Sequence, residues 1–250
     1  IGGPSMVRSA AKNNAFVTIV VHAEDYDKVL AEIKANGSTS PETRLELAAK
    51  AYSHTALYDS VISNYLNQKI NIRFPQEYTV GGRLEQKMRY GENPHQDAAF
   101  YKVPLSKEAG VSTAKQLHGK ELSFNNIVDI HAAVELVKEF KRPAVVIVKH
   151  MNPCGVSEAD TLSTAYEEAL STDPVSAYGG IVAVNREVDK ALAGRLSEIF
   201  FEGIIASSFS KEAMEILTAK KNVRLMELPL SDYRSDELDF KKVTGGFLIQ

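Results

Sequence analysis

The chain has 250 residues, 44% hydrophobic and 24% charged, with a formal net charge of -3 and a pI near 6.1. That is a globular composition, long enough for one or two domains with a sizeable core. It offers no basic tract for nucleic acid, no apolar run near the ~20 residues of a membrane span and no signal peptide. Its single cysteine, Cys154, excludes an internal disulfide and suits a reducing cytoplasm.

In chain order, residues 1–4 read as a Gly-Gly-Pro turn and 5–13 as a short helix. The apolar run 15–21 (AFVTIVV) predicts a buried strand, and 24–35 a helix stopped by Asn36-Gly37. Ser40-Pro41-Glu42 is a helix start, an N-cap followed by proline in the first turn, and the helical pattern continues to about Asn67. The mixed stretch 68–88 carries Pro75 and Gly81-Gly82, and we place a domain boundary near residue 76. Beyond it the pattern alternates. A helix is predicted over 126–140 with Ile130, Val134 and Val137 on one face, then a strand over 144–148. Helices over 161–170, 187–199 and 211–219 interleave with strands over 181–184, 203–206 and 223–226, and a last strand falls at 246–249. Strand and helix in turn predict an α/β layered domain.

Four strings carry candidate chemistry. Arg89-Tyr90-Gly91-Glu92-Asn93-Pro94-His95-Gln96 puts a guanidinium fork, able to grip a phosphate or carboxylate, beside a phenol that can stack on a base. It reads equally as a polar connecting loop. In the second, residues 117–126 (LHGKELSFNN), Asn125 or Asn126 is a natural cap for the helix that follows. The third, residues 145–155 (VVIVKHMNPCG), ends a β-branched run on Lys149 and His150 and then turns through Asn152-Pro153. It places an ammonium and an imidazole at the carboxyl end of a strand, the edge where open α/β sheets bind ligands. Imidazole takes protons near neutral pH and lysine holds developing negative charge, although a solvated strand end has the same pattern. In the fourth, residues 173–180 (DPVSAYGG), Gly179 and Gly180 either make a turn into a strand or let a ligand approach the backbone. The six histidines form no HxxxH or HxH pair, so no metal site is expected.

Together with the closing GGFLIQ, these strings, in this order along essentially the whole chain, resemble the bifunctional purine-biosynthesis family that joins AICAR transformylase to IMP cyclohydrolase. The resemblance implies a partial methylglyoxal-synthase-like domain over residues 1–76, followed over 77–250 by the first, cytidine-deaminase-like unit of the transformylase. It implies formyl transfer from 10-formyltetrahydrofolate, as cosubstrate, to the 5-amino group of AICAR, in a cytoplasmic homodimer. His150 matches the family's catalytic base and Lys149 the lysine that stabilises the tetrahedral intermediate. Arg89, Tyr90, Gly179 and Glu202 match positions that hold the nucleotide, although Glu202 also reads as a solvated charge before a strand. Lys12 matches the lysine used in ring closure.

Some family features are missing. Asn14 stands where a histidine is common, and the aspartate that precedes Ile-Gly-Gly is absent. Such a chain is expected to be a fragment without cyclohydrolase activity, with its folate-binding residues beyond Gln250 and its site incomplete. Pro153-Cys154-Gly155 echoes the zinc deaminases, but the second cysteine and the His-x-Glu motif are missing. A non-catalytic nucleotide-binding or oligomerising module is the other alternative.

Overall fold

The computed structural model describes residues 3–106, 108–230 and 238–250. The chain divides into two units, one running to Arg83 with Lys102–Pro104, the other comprising Leu84–Tyr101 and Leu105–Gln250.

The first unit is helical. Helix α1 (Gly3–Lys12) starts at the Gly-Pro that the sequence suggests as a turn. Helix α2 (Tyr26–Asn36) stops at Gly37, whose φ of 74° is the left-handed cap that glycine adopts without steric cost. Helix α3 (Pro41–Lys69) begins where Ser40 accepts from the Thr43 amide, as the Ser-Pro-Glu start predicts. The expected strand at 15–21 does not form. Ala15 and Phe16 lie in the turn after α1, and residues 17–21 join no ladder among the described residues. Apolar β-type sequence becomes a strand only beside a partner offering backbone donors and acceptors. Here Ile19 and Val21 pack on Ala11, Ala48 and Ala51 instead. The turn is held by Arg44, whose guanidinium donates to the carbonyls of Asn14 at 3.0 Å and Ala15 at 2.9 Å.

The second unit is built on a mixed sheet. After a two-stranded ribbon of β1 (Arg83–Lys87) and β2 (Ala99–Lys102) come β3 (Lys115–His118), α4 (Phe124–Val137), β4 (Ala144–Lys149) and β5 (Asn152–Glu158). Then follow α5 (Leu162–Thr172), α6 (Pro174–Ala177), β6 (Ile181–Val188), α7 (Lys190–Glu198), β7 (Gly203–Phe209), α8 (Lys211–Leu217) and β8 (Arg224–Glu227). A separate antiparallel ribbon joins β9 (Phe240–Val243) to β10 (Gly246–Ile249), with Phe240 stacked on Phe247. The six-stranded sheet has the order β3-β8-β7-β6-β4-β5, in which β6, β7 and β8 are parallel and the other pairings antiparallel.

Period-two alternation divides the sheet between two cores. From β4, Val146 and Val148 join Ile130, Val134 and Val137 of α4, while Val145 and Ile147 face the cluster built by α5, α7 and α8. Both faces are covered, which is why β4 reads as an unbroken apolar run. At its start the buried Asn185 has its amide filled: Oδ1 accepts from the Ala144 amide, and Nδ2 donates to the carbonyls of Phe140 and Arg142. Strand β5 has no counterpart among the strands expected from sequence, whose pattern there is that of a turn. The expected turn at 152–155 lies instead at His150-Met151, and Pro153 lies on an edge strand, where a missing N–H is tolerated.

Tyr166 of α5 is 1% exposed, edge-on to Phe201, and its hydroxyl has no hydrogen-bond partner among the described residues. Burial pushes its ionisation from 10.0 up to about 12. Between those values the unfolded chain has lost the phenolic proton and the native chain keeps it. Stability is therefore undiminished below about pH 10 and falls as pH rises towards about 12. Tyr166→Phe is expected to stabilise the protein by about 1 kcal/mol at neutral pH, the order of an unsatisfied buried hydroxyl, and to flatten this alkaline limb. Urea unfolding at pH 7 and pH 11 measures both.

Candidate functional site

The Lys149–His150 pair lies at a two-residue hairpin turn. Lys149 pairs with Asn152 in the β4–β5 register, leaving His150 and Met151 as the loop. Their φ values are 54° and 63°. Positive φ at both loop positions is what the tightest hairpin turn needs, and Asn-Gly is the usual sequence there. Histidine and methionine in that region cost on the order of 1–2 kcal/mol each, a strain that clusters at functional sites. Two side-chain bonds support the turn. The Met151 amide donates to Asp129 Oδ1 at 2.7 Å, and Asn152 Nδ2 donates to the His150 carbonyl at 2.8 Å. The backbone thus leaves strand geometry at His150, freeing two consecutive side chains from opposite faces of the sheet.

Lys149 Nζ donates to the Tyr178 carbonyl at 2.8 Å. An ammonium has three donors, so this bond fixes its place and leaves the others available. Tyr178 is exposed, with its ring tilted against Phe200. Next to it Gly179 has a φ of 76°, and its amide donates to the Phe200 carbonyl at 2.8 Å. A Cβ on Gly180 would lie 2.8 Å from the Val148 carbonyl oxygen, so the turn into β6 presses directly on β4. Asp173 caps α6. Its carboxyl is held below the usual range, first by the bonds from Ser176 and last by the charge of Lys149.

Glu202 precedes β7. Its amide donates to the Gly180 carbonyl, and its carboxylate accepts from Asn126 Nδ2 at 2.7 Å and sits 3.6 Å from Arg224. Asn126 is the buried third residue of α4. Its Oδ1 also takes the Ser123 amide, completing a capping box. The N-cap itself is Ser123, not Asn125 or Asn126 as the sequence suggests; Asn126 completes the box from the third helical position, and the same side chain reaches across to Glu202. Asn125 donates to the Glu92 carbonyl at 3.4 Å, tying residues 89–96 to this helix. That loop is closed by Gly91 N–H to Gln96 O at 2.7 Å, and the Arg89 guanidinium lies 5.1 Å from the Tyr90 ring centre.

Lys149, His150, Gly179 and Glu202 therefore gather at one sheet edge, and the Arg89–Tyr90 loop is bonded to the helix that serves it. Lys12 ends α1 in the other unit. The edge is not the one the sheet rule describes. It is the carboxyl end of β4, but β4 runs antiparallel to β6, so it is the amino end of the parallel strands. Asn126 and Asp129 bond to this site although neither is among the candidate site residues expected from sequence. Their spacing of three on α4 was the available signal. Cys154 donates to the Ile147 carbonyl and burial pushes its thiol up, so it is not an activated thiolate. Among the described residues no group of three or more His, Cys, Asp or Glu side chains could hold a metal ion, and no helix is long and apolar enough to cross a membrane.

A mixed α/β sheet carrying a cation, an imidazole and a carboxylate on one edge is suited to a small polar ligand and to proton transfer. The chain belongs to the AICARFT/IMPCHase bienzyme family, which it matches over residues 10–250. It is 57% identical over its whole length to the bifunctional purine biosynthesis protein PurH of Thermoanaerobacter sp. (strain X514), and 54% identical to that of Bacillus cereus (strain AH820). It spans about half the length of these relatives, 49% of each.

Proposed function

We propose that this chain supplies the nucleotide-binding and proton-transfer half of an AICAR transformylase, in the de novo route to purine nucleotides. The formyl group of 10-formyltetrahydrofolate passes to the 5-amino group of AICAR, giving FAICAR and tetrahydrofolate. Ring closure to IMP belongs to the companion activity, in which Lys12 takes part. The observation that carries the reading is the strained turn that puts His150 beside the anchored Lys149.

The 5-amino group is a poor nucleophile, because its lone pair is delocalised into the ring and carboxamide. As nitrogen attacks the formyl carbon it must lose a proton, and the exposed His150 imidazole accepts it. The formyl oxygen becomes an oxyanion, which Lys149 stabilises with the N–H donors its bond to Tyr178 leaves available. Arg89 grips the nucleotide phosphate and Tyr90 lines the same ligand. Gly179 gives the ligand backbone access, and Glu202 accepts from it. On this reading residues 1–76 are the end of a methylglyoxal-synthase-like domain and 77–250 a cytidine-deaminase-like unit, in a cytoplasmic homodimer whose folate contacts lie outside this chain.

Calorimetric titration with AICAR tests the nucleotide half. Saturable binding is expected, weakened at least about tenfold by Arg89→Ala, since a charge-assisted phosphate contact contributes about 1.5–3 kcal/mol. Absence of binding to this chain, and also to a chain extended to the relatives' full length, would overturn the reading.

A further inference from the structure

Helix α4 carries a carboxylate that neither its own capping nor the proposed chemistry uses. Asp129 is the sixth residue of α4, beyond the first turn where a carboxylate serves the helix dipole. Its bond is to the Met151 amide, at 2.7 Å. A carboxylate acceptor makes this a charge-assisted bond, stronger and more directional than one to a neutral carbonyl. The amide it holds belongs to the second residue of a loop in which both residues carry positive φ and neither is glycine. Left unsupported, such a loop has less strained alternatives, and each of them moves His150 relative to Lys149.

Three polar residues of the same helix bond to three parts of the site: Asn125 to Glu92, Asn126 to Glu202 and Asp129 to Met151. A rigid helix with bonds at these three places sets the spacing between them.

We propose that Asp129 is the positioning residue of this site. By fixing the Met151 N–H it keeps the His150 turn in its left-handed conformation, so that imidazole and ammonium meet the same ligand. This rests on the reading of Lys149 and His150 as the reacting pair, and the test separates the two claims. Ala is the best helix former and Asp129 is only half-buried, so Asp129→Ala is expected to fold.

In a chain extended to the relatives' full length, Asp129→Ala should lower kcat for formyl transfer at least about tenfold, because small misplacements of reacting groups cost up to about a hundredfold. The KM for AICAR should stay within about threefold, since the nucleotide contacts are untouched. Asp129→Asn, whose carboxamide oxygen still accepts, should restore kcat to within about threefold of the parent. In this chain alone, hydrogen exchange at the Met151 amide should accelerate in the Ala variant and not in the Asn variant.

Unchanged Met151 exchange in Asp129→Ala, or a loss expressed in KM alone, overturns the positioning role. Lys149→Gln serves as the separate control. If it keeps full turnover, the reacting-pair reading fails, whatever Asp129 does. If it is inactive while Asp129→Ala turns over normally, only the positioning claim fails.

Discussion

Replacing His150 with alanine is expected to lower kcat for formyl transfer by about 10²- to 10⁴-fold, the usual contribution of a positioned general base, while AICAR binding changes little. On the proposed reading, the attacking 5-amino group is a weak nucleophile. Its lone pair is engaged with the ring, so carbon–nitrogen bond formation must be accompanied by proton loss, and Lys149 is held as a donor by its bond to the Tyr178 carbonyl. Lys149→Gln should cost about 10²- to 10³-fold, the size of one oxyanion donor. If the two act in one step on one intermediate, as proposed, the double variant should lose much less than the product of the single losses. Steady-state kinetics with AICAR and 10-formyltetrahydrofolate, on a chain extended to the relatives' full length, measures all three variants. Turnover by His150→Ala within a few-fold of the parent would remove the base assignment, and fully multiplicative losses would remove the shared intermediate.

The helices and central strands were legible because their signals are local. Ser40-Pro41 and Gly37 marked helix ends, and the unbroken apolar run of β4 marked a strand buried on both faces. What failed depended on partners. The run 15–21 has strand composition and no ladder, while Asn152-Pro153 has turn composition and lies on a strand because β4 offers its edge. The candidate site was legible as a set of strings and not as an edge. The rule about carboxyl ends needs strand direction, which comes only from pairing, and β4 proved antiparallel to its neighbour β6. Asn126 and Asp129 were obscured for a related reason. A cap and a mid-helix carboxylate have ordinary local explanations, and their bonds to Glu202 and Met151 cross 76 and 22 residues of sequence.

Gly155→Ala is expected to destabilise the second unit by about 3 kcal/mol, the upper end for forcing one carbon into a packed interior. A Cβ there would lie 2.0 Å from the carbonyl oxygen of Ala169. That atom belongs to the backbone of α5, whose Ala165, Tyr166 and Ala169 are buried in the core, so no flexible side chain can swing away. Relief requires α5 to lift from the sheet or β5 to peel from β4 at the Ile147–Gly155 pair. The second route disturbs the hairpin whose turn carries His150, so lost activity should accompany lost stability. Gly194→Ala is the matched control. Gly194 lies inside α7 with nothing within 4 Å of an added Cβ, and alanine there should stabilise the helix by roughly 0.5–1 kcal/mol. Thermal unfolding should therefore shift in opposite directions for the same chemical change, downward by roughly 10 °C at Gly155 and upward by a few degrees at Gly194. Equal shifts at the two glycines would mean that α5 does not seat on Gly155 as closely as its carbonyl contact requires.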